Sequence, residues 1–478
     1  MKPISLFGAG TLSKSAVATA QRRINCYWEI TADGDKSKAV LYGTPGTLLA
    51  AALPNTIRGW RVAGSKLYAC NGPNVTYLDT ALTQAYLANA ITNGTGKVGM
   101  TANATQLMLV DGIAGYTSTL PTGALTAIAD VDFPNGATTC TYVAGYGVVE
   151  KPNTSQFWVS ALNDFTGWTG TFFQSAFSSP NYLVAVDSDH GILILFGTDY
   201  LEYWYASGAL DFPFAHIPNA DQQWGLAAKW SRYHLDNALV FLAQHPQGQY
   251  QVMKIALTDG GYAPRRISNS DLENIIAGLS TPSDAVGCGY MLDGHAFYQL
   301  TFQAAQRSFL VDVNAPVPMW YEVQTGVATS GRHIADLSIT FNAVSYVSDY
   351  ASGNIYQVSP STYTDNGVTI KRLIQSRHIG DGNEMSIDEV FFDMETGVGL
   401  QSGQGSDPQI MLEVSKDGGR TFGPQRFINF GKVGQYDAPR AVARRVANGR
   451  DIVLRVSMTD PVKFVITREG ATVTQGYA

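Results

Sequence analysis

The chain has 478 residues, a formal net charge of −7, 45% hydrophobic residues and only 15% charged ones. That length exceeds a single compact core and fits two or three domains, and the acidic balance argues against a general nucleic-acid binder. The charge is uneven, because from Gln401 onward eleven Lys and Arg stand against seven Asp and Glu, so a basic C-terminal stretch follows a strongly acidic remainder.

Residues 1–25 are small, polar and without period, and read as an extended N-terminal arm closing on Arg22-Arg23. Such arms order on a neighbour. Ile24–Trp28 reads as a strand, and Leu41–Gly46 as a strand end entering a turn. From Trp60 onward, short apolar strands recur as hairpins around Gly and Asn turns. Lys66–Ala69 meets Val75–Asp79, Thr141–Ala144 meets Phe157–Ser160, Gly191–Gly197 meets Leu201–Tyr205, and His295–Leu300 meets Ser308–Asp312. The recurrence of about 35–45 residues is the spacing of four-stranded propeller blades. Phe309–Trp320 has a kelch-like shape, with Trp320 placed to fill the gap between blades. Leu272–Leu279 predicts one short helix capped by Asp271. A stack of β-sandwiches competes, but the even spacing favours a closed ring. The fold class expected is therefore all-β: a six- or seven-bladed β-propeller-like domain over 26–365, then a C-terminal β-sandwich-like domain over 366–478.

Within the second domain, Ser415, Asp417, Gly419, Thr421 and Phe422 match an Asp-box, a tight turn between antiparallel strands whose Asp bonds back onto turn amides. This motif marks scaffold and carries no chemistry by itself. In Asp451–Met458, alternation puts Ile452, Leu454, Val456 and Met458 on one face and Arg455 on the other.

Reactive constellations are scarce. The seven histidines show no HxH or HExxH spacing, and the four cysteines, Cys26, Cys70, Cys140 and Cys288, show no CxxC. Scattered thiols read as free and buried, made in a reducing compartment. The glycines at 397, 399, 403 and 405 lack the flanking helix and Lys-Ser/Thr of a phosphate loop and read as a loop between strands. Sialidases also combine propellers with Asp-boxes, but Tyr200, Glu202 and Tyr203 alternate faces on one strand and form no dyad. No catalytic residue, cofactor or metal site is expected, and no stretch reaches transmembrane length. Arg440, Arg444, Arg445 and Arg450 form the densest basic run, a candidate contact for DNA or an acidic partner.

The run Thr396–Gln409 leading into the Asp-box resembles the C-terminal part of tail hub proteins of short-tailed bacteriophages, also called nozzle or packaged-DNA stabilisation proteins. Asn25-Cys26-Tyr27, Leu41–Gly46, His190–Gly197, Glu202-Tyr203-Trp204, Asp211–Phe214, Gly353–Tyr356, Thr362–Gly367 and Ser457–Val462 extend the resemblance in order along the chain, with Ala81–Phe133 outside it. The resemblance implies a structural virion protein, assembled in the host cytoplasm as a homohexameric ring below the portal and its adaptor. That ring would continue the DNA channel, retain packaged DNA and allow ejection, passing the duplex without sequence readout. Its other partners would be a tail needle or fibre and tailspike proteins, with the arm and the C-terminal domain binding neighbours. The alternative is a propeller glycan hydrolase or carbohydrate-binding module.

Overall fold

A computed structural model of the chain describes all residues except 1–3, 9, 11–17, 32–36, 177–180, 259–260, 329, 381, 437–439 and 476–478. The architecture is all-β apart from short helical segments, with a propeller followed by a sandwich.

The described residues form seven four-stranded blades. Four begin at Ile57, Gly99, Cys140 and Leu183, and each is a plain antiparallel meander. The fifth has an innermost strand broken into Gly225–Leu226 and Tyr233–Leu235 by a single turn of 3-10 helix. The sixth runs from Val286 to Val323. The seventh takes its first three strands, Ala335–Phe341, Val344–Asp349 and Asn354–Ser359, from the end of the propeller and its fourth, Gly46–Ala52, from the N-terminal region. This pairing across some 300 residues closes the ring. The Trp60 indole N–H donates to the Ser338 carbonyl (3.0 Å) across the same joint, between the innermost strands of the seventh and first blades. Gly353 is required here, because a Cβ would sit 1.9 Å from the carbonyl oxygen of Leu53, the residue just after the closing strand.

Residues 99–127, within the stretch outside the resemblance, form the second blade. Two local expectations are corrected. Cys140–Val143 pairs with Tyr146–Glu150, which lies between it and Gln156–Ala161, so one strand of that blade escaped the hairpin pattern. The helix is Ser270–Ala277, capped by the Asn269 side chain accepting from the Leu272 amide (2.9 Å), with Asp271 inside its first turn. Trp320 is fully buried where the fifth and sixth blades meet, and its indole N–H donates to the Ile267 carbonyl (2.8 Å).

The sandwich packs two sheets. One runs in the order Cys26–Ile30, Ala39–Gly43, Val465–Gln475, Met385–Met394, Arg440–Gly449. The other contains Arg372–Gln375, Val453–Met458, Gln409–Ser415 and Arg426–Asn429. Leu41, Ile387, Phe392 and Ile466 of the first face Ile374, Leu412, Leu454 and Val456 of the second. The strands at 26–30 and 39–43, expected to open the propeller, thus lie in the sandwich. The alternation of Leu41 with Val40 and Tyr42 fits either site, and only the pairing with Val465 and Ile466 decides it.

The N-terminal arm also departs from expectation. Leu6 and Phe7 are buried in the chain's own sandwich core, Phe7 stacks on Phe392, and Ile4 bridges to Ala471. An apolar pair inside a polar stretch has the free energy of burial as a reason to stay home.

Strand β1, Arg22–Ile24, joins the two systems. It pairs in parallel with Tyr321–Val323 of the sixth blade and antiparallel with Arg372–Gln375 of the sandwich, making one nine-stranded sheet. Asn25 follows with φ 55° and 1% exposure. Its side-chain amide donates to the Gln324 and Lys371 carbonyls (3.0 and 2.9 Å), and its Oδ1 accepts from the Gln324 amide (2.9 Å). A short polar side chain that tolerates the left-handed region and satisfies both sides of a seam suits this position.

Asn25→Ala strands these buried partners, and a loss of about 2–4 kcal/mol is expected from denaturant unfolding. A loss below about 0.5 kcal/mol would mean that the seam does not depend on this residue.

Candidate functional site

The Asp-box links Gln409–Ser415 to Arg426–Asn429, which are antiparallel neighbours. Gly418 and Gly419 take φ of 71° and 89°. Ser415 Oγ donates to Asp417 Oδ1 (2.6 Å) and accepts from the Gly419 amide (2.8 Å). The amides of Arg420 and Thr421 donate to Asp417 Oδ1 (3.0 and 2.9 Å), and Thr421 Oγ1 donates to Oδ2. Bonds from Ser415 and Thr421 hold this carboxyl well below the usual range. Phe422 turns back beneath the turn, where the Arg455 guanidinium lies 3.4 Å from its ring centre. The arrangement satisfies itself and leaves no group free for chemistry.

The basic run does not converge on one point. It follows Arg440–Gly449, the outermost strand of its sheet, and the turn after it. Arg440 forks onto Asp393 (2.6 and 3.0 Å) and lies over the Phe391 ring, and Arg444 reaches Glu389 (3.1 Å). Arg445 occupies a bulge with φ 53°, and Arg450 lies in the turn. Both are exposed, and their side chains have no acidic partner among the described residues. Arg426 covers the edge by donating to the carbonyls of Arg444 and Arg445.

A polar network around the propeller axis escaped sequence reading. The innermost strands of five blades line a cavity of about 450 Å3. Arg232 donates to Asp187 Oδ2 (2.5 Å) and to the Val186 carbonyl (2.8 Å), while His234 Nε2 sits 2.9 Å from Asp187 Oδ1. Lys229 lies 3.8 Å from Glu150, whose carboxylate accepts from the amides of Thr138 and Thr139. Lys97 bridges to Asp336 of the seventh blade. Burial raises the Asp187 carboxyl, but His234 and Arg232 outweigh it and hold the group well below its ordinary value. His234 is half-exposed at the cavity wall. Burial lowers its imidazole, and the facing Asp187 carboxylate more than reverses this, so the net direction is up. The residues come from blades more than 40 positions apart, and no local pattern announces them.

Elsewhere, Glu202 accepts from the Trp204 indole, while Tyr203 faces the opposite side of the strand and stacks on Tyr262. The four cysteines are unpaired, and burial pushes the thiols of Cys26, Cys70 and Cys288 up to about 12. Among the described residues, no group of three or more His, Cys, Asp or Glu could hold a metal ion. None of their helices is long and apolar enough to cross a membrane.

A family model for Bacteriophage P22 Gp10, beta-propeller, matches residues 7–363, and one for Bacteriophage P22 Gp10, beta-sandwich, matches residues 371–474. The chain belongs to this family. These are the tail hub, or nozzle, proteins of short-tailed phages, so the protein is a structural component of the phage tail, carried in the virion and in contact with other virion proteins. The family assignment makes an enzyme unlikely. No curated protein matches the chain. Among solved structures, the streptogramin B lyase structure has a TM-score of 0.42 at 9% identity, covering 72% of this chain and 99% of that one. YCF48 from Cyanidioschyzon merolae has 0.41 at 10% identity, covering 66% and 99%. The computationally designed Ika8 protein has 0.38 at 11% identity, covering 71% and 99%. None of these likenesses bears on function.

His234 titrates upward on folding, so its stabilising contribution is complete below the unfolded value of about 6.5 and fades as the pH rises through the higher native value. The melting-temperature difference between the wild type and His234→Gln is expected to be largest near pH ~5.5 and to shrink toward pH ~9. A difference that grows with pH would contradict the Asp187 pairing.

Proposed function

We propose that this chain is one subunit of a homohexameric ring that continues the DNA channel below the portal and its adaptor, retains the packaged genome and releases it at ejection. The small cavity at the propeller axis is the observation that carries this reading furthest. Ion pairs cross between blades around an axial cavity of only about 450 Å3. A duplex whose major groove alone is about 12 Å wide does not thread it. A conduit in such a protein lies between chains, with each propeller as a section of wall. The net acidic composition suits that wall, since a basic lumen would hold DNA through counterion release and slow its passage. The duplex passes without sequence readout, and a tail needle or fibre and tailspike proteins attach to the same assembly.

The basic stripe then serves contacts between proteins. Arg445 and Arg450 offer charge, and Phe427, 62% exposed on the adjoining edge strand, offers apolar area. An acidic surface of the neighbouring copy or of the adaptor complements both, and Arg guanidinium suits bidentate carboxylate contacts.

Native mass measurement of the purified protein, alone and mixed with its adaptor, tests the ring. A species of about six chains on the adaptor is expected, and a chain that stays monomeric in the presence of the adaptor contradicts the ring. The double variant Arg445→Glu, Arg450→Glu is expected to lose ring or adaptor binding with an unchanged melting temperature. Full assembly by that variant would remove the stripe from the interface.

A further inference from the structure

The axial cavity carries more than a structural role requires. Its walls hold Arg61 from the first blade and Lys229 and Arg232 from the fifth, against a single lining carboxylate, Asp187. Glu150 stands behind Lys229, buried and 3.8 Å from it, and offsets its charge, while Lys229 Nζ also donates to Thr138 Oγ1. With Arg232 offset by Asp187 and Lys229 by Glu150, the surplus charge at the cavity is that of Arg61. Walls of low dielectric focus that field inward. Arg61 is exposed to the cavity and has no acidic partner among the described residues, so one guanidinium is left over after the pairing of Arg232 with Asp187.

The remaining lining narrows the class of ligand. Thr101, Thr141 and Ser188 bring hydroxyls, with Thr141 Oγ1 and Ser188 Oγ already 2.6 Å apart. Trp230 brings aromatic surface, while the Tyr142 ring meets Phe165 edge-on and its hydroxyl donates to Asn163 Oδ1 (2.7 Å). A cation for an anionic group, hydroxyls for hydroxyls and a flat ring for a C–H face together describe a sugar acid or sugar phosphate. The volume lies within the range of small-molecule sites, about 300–1,000 Å3. The thiol of Cys140, also in the wall, is raised by burial and contributes no reactivity.

We infer that the propeller axis is a binding site for an anionic monosaccharide unit, carboxylated or phosphorylated, held by Arg61, with Lys229 alongside, against the Trp230 ring and the Thr101, Thr141 and Ser188 hydroxyls. This site is separate from the basic stripe and from the channel between chains, and it does not depend on ring formation.

Isothermal titration of the full chain with glucuronate and with glucose 6-phosphate tests it, with glucose and inorganic phosphate as controls. Saturable binding of at least one anionic sugar is expected, with glucose and phosphate each at least about tenfold weaker, the size of one charge-assisted contact. Glucuronate and glucose 6-phosphate together separate a carboxylate-reading site from a phosphate-reading one. Arg61→Glu, at an exposed position, is expected to keep the melting temperature and to weaken binding by about tenfold or more, with Lys229→Met acting in the same direction. No saturable heat with either anionic sugar, equal affinity for glucose or for phosphate, or unchanged affinity in a folded Arg61→Glu protein overturns the site.

Discussion

A three-residue strand carries the connection between the two halves of this molecule. Arg22, Arg23 and Ile24 lie between a propeller blade and a sandwich sheet; all three pair with Arg372–Gln375, and Ile24 pairs with Glu322 of the blade. Ile24 is fully buried and Arg23 is 3% exposed, so the strand is interior rather than applied to a surface. Glu322 sits between Arg22 (2.5 Å) and Arg307 (2.5 Å), pinning the same joint with charge. Continuous sheet across a domain boundary resists bending far better than a covalent linker alone, because hinge motion would break several backbone bonds at once. The stretch from Arg22 to Ala52 acts as a single stitch, passing from the seam through two sandwich strands to the strand that closes the propeller.

That stitch gives the tail-hub assignment a mechanical sense. In the proposed ring, a wall element must keep its shape while a polymer moves past it. A closed ring of blades leaves few free edges, and the seam makes propeller and sandwich one body. Ion pairs such as Arg232–Asp187 tie neighbouring blades together at the wall of the axial cavity.

What could be read from sequence followed the range of the interaction. The Asp-box was legible because every partner of Asp417 lies within four residues. Blades were legible because their hairpins are local. In Asp451–Met458, the face carrying Ile452, Leu454, Val456 and Met458 is the core face, and Arg455 lies against Phe422, because alternation fixes the faces of any half-buried strand. The closing strand at 46–52, the seam at 22–24 and the placement of 26–43 in the sandwich were illegible, since each is decided by a partner hundreds of residues away. The basic run was visible as charge, but the neutralisation of Arg440 and Arg444 by Asp393 and Glu389 was not. The axial cavity was invisible for the same reason, being assembled one or two residues at a time from separate blades.

Hydrogen–deuterium exchange on the intact protein, followed through the amides of Arg23 and Ile24, tests the seam most directly. A welded joint predicts that they exchange only with the slowest opening, together with Tyr321–Val323 and Arg372–Gln375. Fast exchange at Arg23 and Ile24 while both flanking strands stay protected would show two bodies joined by a loose thread, and would contradict the rigid unit on which the rest depends.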